Sequence, residues 1–275
     1  MRRLIISKST ADFTSHAGLG LVGLAIRERT NLAAEAAAVS ALRSDAMPHG
    51  DMLASYVALL CLGKSDFEAI DAFRTDPFFL EALGLERAPS AAILRQRLDA
   101  NAPGFKDAVI AAAIEFLRRS QAPITPLGNG LVPLDADVTP MNNAKTKKEG
   151  VSRTYKGEDG FAPMAAYLGQ EGYCLELELR EGSQHSQKGT PELLARVLER
   201  ARGLTTAPLL VRLDSGNDAI ENIATLMAHE EQHPQAAPVH YIIKWNPRRE
   251  SREGWLAFAT EHGDWSTPRP GKRVA

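Results

Sequence analysis

Two short segments place carboxylates just where an apolar run of residues stops. One is Leu-Asp-Ala-Asp-Val-Thr at 134–139, and the other is Leu-Asp-Ser-Gly-Asn-Asp at 213–218. An unpaired carboxylate inside a buried strand costs several kcal/mol, so aspartates at strand ends favour a bound divalent cation over a packing role. The candidate ligands are Asp135, Asp137 and Asp214. Because alternate residues of a strand share a face, Asp135 and Asp137 lie on the same side and either could bind metal.

The chemistry that such a site supports is reaction at phosphate. Phosphodiester cleavage and transfer proceed by in-line displacement, and two divalent ions about 4 Å apart stabilise both the attacking and the leaving oxygen. Carboxylates from neighbouring strands can bridge such a pair of ions. Mg²⁺ fits best, with Mn²⁺ as the alternative, because Mg²⁺ uses few carboxylates and keeps waters that substrate phosphate can replace.

The second half of the chain has the strands and helices that would position these aspartates. Hydrophobic patterns predict strands at 131–138, 162–168, 173–179, 208–213 and 239–245, and helices at 190–202 and 218–229. A short glycine-flanked link at 169–172 predicts that the second and third strands form an antiparallel hairpin. The order β-β-β-α-β-α-β is that of a ribonuclease-H-like mixed sheet, in which the first and fourth strands are neighbours. The two aspartate segments would then meet.

The first half of the chain is predicted to be helical. Apolar spacing and capping residues predict helices at 31–46, at 50–63, from 65 and from 89. Two prolines and two glycines at 121–130 end this half. We therefore predict an α/β protein with an all-helical domain at 1–128 and a ribonuclease-H-like mixed-sheet domain at 129–275.

Two basic features are candidates for DNA contact. Arg95 and Arg97 project to different sides of the helix predicted from residue 89, which is either a recognition helix or a plain surface helix. From the residues alone, the surface helix is the simpler interpretation, because isolated arginines on helices are common. A basic loop follows the first aspartate segment, with Lys145, Lys147, Lys148, Arg153 and Lys156. Such a loop can hold DNA phosphates, and on charge alone a solvated loop explains it equally well.

Composition sets broad limits on the protein. The chain has 275 residues, of which 44% are hydrophobic and 24% charged, and its formal net charge is −2, so any DNA must be bound through local basic patches. No stretch approaches the roughly 20 apolar residues that span a bilayer, and the N-terminus lacks the apolar region of a signal peptide. We expect a cytoplasmic protein without membrane contacts.

Four single residues have ordinary structural explanations. Cys61 and Cys174 lack clustered partners, so we expect two buried free thiols rather than a zinc site. Arg212, inside the fourth strand, is expected to pair with a carboxylate. His185 is expected to make a local hydrogen bond.

A succession of motifs along nearly the whole chain resembles the group-1 DDE transposases of bacterial insertion sequences. The motifs lie at 14–19, 65–70, 76–79, 89–98, 134–139, 155–163, 180–185 and 212–218. None of them is specific alone, and their colinear order carries the resemblance. The resemblance implies a nucleoid-associated bacterial protein that binds double-stranded DNA, both the terminal inverted repeats of the element and target DNA. It leaves homodimer formation open.

The resemblance also implies roles for particular residues. The helical half would bind the ends of the element, and Asp137 and Asp214 would be the first two members of an acidic triad that holds Mg²⁺ or Mn²⁺. Asp137 is preferred to Asp135 because the family pattern has a carboxylate two residues before a threonine, as in Asp137-Val138-Thr139.

The third acid of the triad departs from the family pattern. That pattern is Tyr, two residues, Arg, three residues, Glu, six residues, Lys, on a helix after an inserted β-domain. Arg249 and Glu253 have the right separation, but Asn246 and Thr260 stand where tyrosine and lysine should be. We therefore expect a chain that stops in the inserted domain, which would begin at about 246 and contain the three tryptophans in its core. No helix or strand is predicted at 268–275, and weak or no activity is expected from the chain alone.

Two alternatives remain. The Asp-x-Asp-x-Thr sequence also matches haloacid-dehalogenase-like phosphatases, with Asp135 as nucleophile and Asp137 as acid/base, although a basic loop and a hairpin follow it where that fold needs a helix. The other alternative is a non-catalytic DNA-binding remnant.

Overall fold

The computed structural model describes residues 14–40, 46–248 and 250–275. The chain divides into two compact units, Met1–Pro123 and Ile124–Ala275. Among the described residues, none of the helices combines the length and the apolar character that a membrane crossing requires.

The described elements of the first unit are helices. They are α1 (Leu19–Arg29), α2 (Leu32–Val39), α3 (His49–Cys61), a 3₁₀ helix (Phe67–Phe73), α4 (Pro77–Leu83) and α5 (Ala91–Arg119). Their apolar faces meet in one core, where Met52, Phe79 and Leu94 are fully buried. The predicted cap of α5 is confirmed, since the Ser90 hydroxyl accepts a hydrogen bond from the Ile93 amide at 3.3 Å.

Helix α5 contains a kink with a local cause. Pro103 lies inside the helix, and Asn101 leaves the helical conformation with φ −126° and ψ 15°. Proline cannot donate a backbone hydrogen bond and its ring clashes with the preceding turn. The Asn101 side chain compensates by donating to the carbonyl of Arg97 at 3.0 Å.

The second unit is built around a five-stranded mixed sheet. Its elements are β1 (Val132–Val138), β2 (Met141–Asn142), β3 (Ser152–Arg153), β4 (Asp159–Phe161), β5 (Met164–Leu168), β6 (Tyr173–Glu178), α6 (Thr190–Arg202), β7 (Leu209–Leu213), a 3₁₀ helix (Ser215–Asn217), α7 (Ile220–Gln232), β8 (Val239–Ile243), α8 (Arg252–His262), β9 (Ser266–Arg269) and β10 (Lys272–Val274). The strand order is β6-β5-β1-β7-β8. Strand β1 is antiparallel to β5 and parallel to β7, and β7 is parallel to β8.

Local sequence explains the main features of this sheet. The hairpin between β5 and β6 is present as predicted, and it turns through Gly169 and Gly172, which have φ of 76° and 74°. Glycine has no Cβ, so it adopts positive φ without steric cost. Strand β1 is buried along most of its length. Helix α6 buries an apolar stripe, formed by Leu193, Leu194, Val197, Leu198 and Ala201.

Other parts of this unit differ from the sequence-based expectations. The loop after β1 contains β2, β3 and β4, which form a small three-stranded sheet. The first element after residue 246 is helix α8, and β9 and β10 form a hairpin at 266–274, where no element was predicted for 268–275. Local pairing across the turn at Gly271, with φ 77°, explains a hairpin that hydrophobic pattern could not reveal.

Two burial predictions were wrong. Cys61 and Cys174 are free but exposed. The tryptophans do not form a buried core, since Trp245 and Trp255 are 43% and 48% exposed and α8 has no buried residue. These side chains contact other aromatic or cationic groups at the surface, as in the edge-on contact of Trp245 with Trp255 at 5.1 Å between ring centroids.

Candidate functional site

The strand that carries Asp137 lies directly beside the strand that leads into Asp214, as predicted. In the parallel pairing of β1 with β7, Ala136 is aligned with Leu213. The next residue in each segment is an aspartate: Asp137 is near the end of β1, and Asp214 directly follows β7, so the two residues occupy adjacent positions. Both aspartates are exposed.

The surroundings of Asp137 disfavour the ionised form of its carboxyl group. One carboxylate oxygen accepts a hydrogen bond from the Val138 amide at 2.8 Å. Partial burial raises the pKa of Asp137 above its ordinary value, and the carboxylates of Asp214 and Asp135 raise it further, whereas the Val138 amide and the Lys156 ammonium lower it. Burial and like charge both disfavour the ionised form, and a divalent cation would relieve that cost.

Asp214 is held at the start of the 3₁₀ helix that follows β7. Its Oδ1 accepts hydrogen bonds from the Gly216 amide at 3.1 Å and from the Asn217 side-chain amide at 2.8 Å. For both aspartates, these contacts engage one carboxylate oxygen, and the part of the chain described gives no hydrogen-bond partner to the second oxygen. A carboxylate fixed through one oxygen suits metal binding through the other.

A buried amide network fixes the Asp214 turn, and sequence reasoning did not identify it. Asn217 and Asn222 are fully buried. The Asn222 side chain donates to the Asn217 carbonyl at 2.7 Å and to the Gln187 side chain at 2.7 Å. Asn222 lies in the first turn of α7, so the network ties the aspartate turn to the start of that helix. The only sequence signal was the Asp-Ser-Gly-Asn order, which is also common in ordinary turns.

Hydrogen bonds from the segment at 180–190 also hold the turn that begins at Asp214. The Ser186 hydroxyl donates to the Gly216 carbonyl at 2.9 Å. Arg180 is 4% exposed and donates to the Ser186 carbonyl at 2.9 Å and to Glu178 at 2.6 Å. Gly216 has no room for a side chain, because an added Cβ would overlap the Ser186 hydroxyl. This contact gives the motif at 180–185 a positioning role at the site.

Asp135 is engaged differently from Asp137. Both of its oxygens accept hydrogen bonds from Arg212, each at 2.5 Å, which confirms the expected ion pair of Arg212. Metal binding or nucleophilic attack by Asp135 would require this pair to break. His185 also behaves as expected and accepts a local hydrogen bond from the Gln187 amide at 3.1 Å.

The basic residues after β1 are all exposed. They are Lys145, Lys147, Lys148, Arg153 and Lys156. Arg153 forms a long ion pair with Asp159 at 3.5 Å, and Lys156 is close enough to Asp137 to affect its pKa. The loop that contains β2, β3 and β4 therefore presents these basic side chains to solvent, and Lys156 is the one whose charge lowers the pKa of Asp137.

The two arginines of α5 have partners within the helical unit. Arg95 forms an ion pair with Glu68, and its guanidinium lies 5.5 Å from the ring centroid of Phe67. Arg97 donates to the carbonyl of Met47 at 2.5 Å. These contacts favour a structural role in the helical unit.

The acids near residue 250 make contacts of their own. Glu250 accepts a hydrogen bond from the Trp255 indole at 2.5 Å, and Glu253 accepts one from the Ser251 hydroxyl at 3.2 Å. These two contacts do not involve Asp137 or Asp214. Arg249 lies outside the described residues.

Comparisons with known proteins identify the family of the chain. Curated proteins give no match. Among solved structures, the chain is similar to piggyBac transposase in a synaptic complex with hairpin DNA, with 13% identity, a TM-score of 0.34 and coverage of 98% of this chain and 48% of that chain. The chain thus spans about half the length of that transposase. A family model described as transposase DDE domain group 1 matches residues 2–249. The chain, a mixed α/β protein with a mixed sheet, therefore belongs to the group-1 family of DDE transposase domains.

Proposed function

We propose that this protein is a DNA transposase that uses Asp137 and Asp214 to bind Mg²⁺ or Mn²⁺. The observation that carries the proposal is the adjacency of the two aspartates beyond the aligned pair Ala136 and Leu213. DDE transposases use divalent metal, and the oxygen donors present fit Mg²⁺ and Mn²⁺. When bound, the ions would stabilise the attacking and leaving oxygens of strand cleavage and transfer.

Backbone and side-chain amides of the protein orient the two carboxylates of this proposed site. The Val138 amide orients Asp137, and the Asn217 amide orients Asp214, so each carboxylate keeps one oxygen for a ligand. The support from Ser186 limits movement of the Asp214 turn. Ordering the ligands in advance reduces the entropy cost of binding.

DNA is proposed to approach along the basic loop. Lys145, Lys147, Lys148, Arg153 and Lys156 would bind phosphates of the target or of the element's terminal inverted repeats, and Lys156 would bring phosphate towards Asp137. In this proposal, residues 129–275 are the ribonuclease-H-like catalytic domain and residues 1–128 contact the element ends. Arg95 and Arg97 remain candidates for that contact, which would require them to leave their present partners.

A third carboxylate has not been identified among the described residues. Asp135 could serve if its pair with Arg212 breaks, and Glu250 or Glu253 could serve if α8 moves. We therefore expect the 275-residue chain to bind metal and DNA but to cleave DNA weakly or not at all. Binding of DNA without cleavage in the presence of either Mg²⁺ or Mn²⁺ would favour a non-catalytic DNA-binding protein.

Duplex binding tests the role of the basic loop. We expect the double substitution Lys147→Gln and Lys148→Gln to weaken binding to a random 30-base-pair duplex, and to reduce the slope of log K against log salt by about 0.9 for each phosphate that is no longer neutralised. The matched control, Lys64→Gln with Lys272→Gln, makes the same charge change at other exposed positions and should bind like the wild type. Equal weakening by both pairs would contradict the proposal.

The helical domain is tested with the element's own ends, taken from the DNA that flanks the coding frame. Arg95→Ala with Arg97→Ala should weaken binding to the terminal repeat by about 1–3 kcal/mol for each base that is no longer recognised, with little effect on random duplex. Unchanged discrimination between the two DNAs would restrict both arginines to the structural role.

A further inference from the structure

A second group of metal-ligating side chains lies in the sheet unit, at the far end of α7 from the Asp214 turn. Glu199 of α6, His229 of α7 and His233, the residue that follows α7, bring one ligand atom each within 4.8 Å of one another. Helix α7 starts at Ile220, and nine residues of α-helix separate His229 from that start by about 13 Å. This cluster is therefore separate from the aspartate pair.

The distances within the cluster match the shape of a metal site. The same Glu199 oxygen lies 3.2 Å from His229 Nδ1 and 3.4 Å from His233 Nε2. Charge-assisted hydrogen bonds are shorter, at about 2.7–2.9 Å. Ligands held at 2.0–2.1 Å by a tetrahedral ion are separated by about 3.3 Å, close to the two distances from Glu199 to the histidine nitrogens.

The orientation of the His233 imidazole supports the same conclusion. His233 Nδ1 lies 3.0 Å from the carbonyl of His229, so donation to that carbonyl leaves Nε2 with its lone pair towards Glu199. Metal-bound histidines commonly donate their other ring nitrogen to a carbonyl in this way. His229 is 6% exposed, and its Nε2 has no hydrogen-bond partner among the described residues. Nδ1, which faces Glu199, is therefore the ring nitrogen of His229 that has a polar contact.

The ligand types indicate the class of metal. Two neutral imidazoles and one carboxylate form a set that suits Zn²⁺ and other borderline divalent ions better than Mg²⁺. His229 lies in the last turn of α7 and His233 caps that helix, and their ring centroids are 4.4 Å apart. Glu199 lies near the end of the adjacent helix α6 and is 57% exposed, which provides a path for entry from solvent.

We propose that Glu199, His229 and His233 form a Zn²⁺ site that joins the C-terminal ends of α6 and α7. The fourth ligand position would be taken by water, as in other sites with three protein ligands. Because the ligands come from two helices, bound Zn²⁺ would stabilise the packing of α6 against α7. The proposal does not depend on transposase activity.

Zinc titration of the metal-stripped full chain tests the site. Isothermal titration should show one equivalent of tight Zn²⁺ binding, and the melting temperature should rise with Zn²⁺ concentration. Glu199→Gln and His233→Ala change partly exposed residues and should fold, and each should weaken Zn²⁺ binding by more than about 100-fold, since losing an outer partner alone costs about 10–100-fold. Co²⁺ bound at the site should give a visible absorption spectrum. Each of these two substitutions should abolish that spectrum.

Matched controls distinguish this site from other histidines, other acids and the aspartate pair. His240→Ala and Glu231→Gln alter exposed residues of the same unit and should bind Zn²⁺ like the wild type. Asp137→Asn with Asp214→Asn should also keep the tight Zn²⁺ equivalent. Absence of a tight equivalent in the wild type, its survival in His233→Ala, or its loss in the aspartate variant would overturn the proposal.

Discussion

The two ends of α7 offer metal ions different ligands. The aspartates near its start are exposed oxygen donors at the ends of strands, whereas the cluster near its end combines imidazoles and a carboxylate from two helices. Strand ends at a sheet edge leave charged groups close together in water, and this arrangement suits Mg²⁺ or Mn²⁺. The four-residue spacing of a helix aligns histidines, and this arrangement suits Zn²⁺. The type of secondary structure that holds the ligands thus determines which metal ion each region suits.

The largest expected effect separates the two regions by metal type. Asp137→Asn with Asp214→Asn should abolish thermal stabilisation by Mn²⁺, which at 100 times Kd corresponds to about 2.7 kcal/mol in the wild type. The same variant should retain stabilisation by Zn²⁺. Thermal melts with each ion measure both effects, and an undiminished Mn²⁺ shift would show that the aspartates are not ligands.

A smaller effect is expected from loss of the Asn217 side chain, which donates a hydrogen bond to Asp214. Asn217→Ala removes a fully buried amide that donates to Asp214, and it should lower the free energy of unfolding by about 1–3 kcal/mol. It should also weaken Mn²⁺ binding, because Asp214 loses its fixed orientation. Urea unfolding and Mn²⁺ titration provide the measurements, with the exposed Asn129→Ala as control. Wild-type Mn²⁺ affinity in Asn217→Ala would limit Asn217 to a folding role.

The ion pair of Asp135 should contribute less. Arg212 and Asp135 have 43% and 41% of their side-chain surface exposed, so a double-mutant cycle should give a coupling energy below about 1 kcal/mol. Asp135→Asn should leave most of the Mn²⁺ shift intact. Complete loss of the Mn²⁺-induced shift in melting temperature would instead identify Asp135 as a metal ligand.

The smallest effect concerns the charge of Asp137 in metal-free protein. Its pKa is raised in the folded state, so ionised Asp137 destabilises the fold above that pKa, and the penalty disappears as the pH falls through it. Asp137→Asn should therefore melt slightly above the wild type at pH 7 in EDTA. The difference should vanish below the ordinary aspartate pKa of about 3.9. A difference that grows on acidification would contradict this sign.

Hydrophobic pattern predicted much of the sheet but little of what supports the site. The positions of β1 and β7 followed from apolar runs that end in aspartate, and their parallel pairing brought Asp137 and Asp214 to adjacent positions. The roles of Asn217 and Arg180 could not be predicted, because their hydrogen bonds join segments that approach only in the folded chain. Arg180 contacts Ser186, which in turn contacts Gly216, 30 residues further along.

The histidine cluster was missed for a different reason. The predicted helix at 218–229 ended at His229, whereas α7 continues to Gln232 and His233 caps it. The four-residue spacing of the two histidines was therefore present but was not assigned to a helix. Glu199 lies on another helix, and only tertiary packing brings it to them. Helix boundaries are difficult to predict because end residues make few hydrogen bonds that depend on sequence.

The mixed pairing of β1 has a consequence for the order of folding. The antiparallel neighbours β5 and β6 are joined by a short turn and can pair early, whereas β7 must be brought to β1 across a long connection, as the 77-residue separation of Arg212 and Asp135 shows. Contacts of such long range form slowly. Asp137 and Asp214 therefore come together only when this late pairing is complete. A nascent or partly folded chain would therefore lack the paired aspartates.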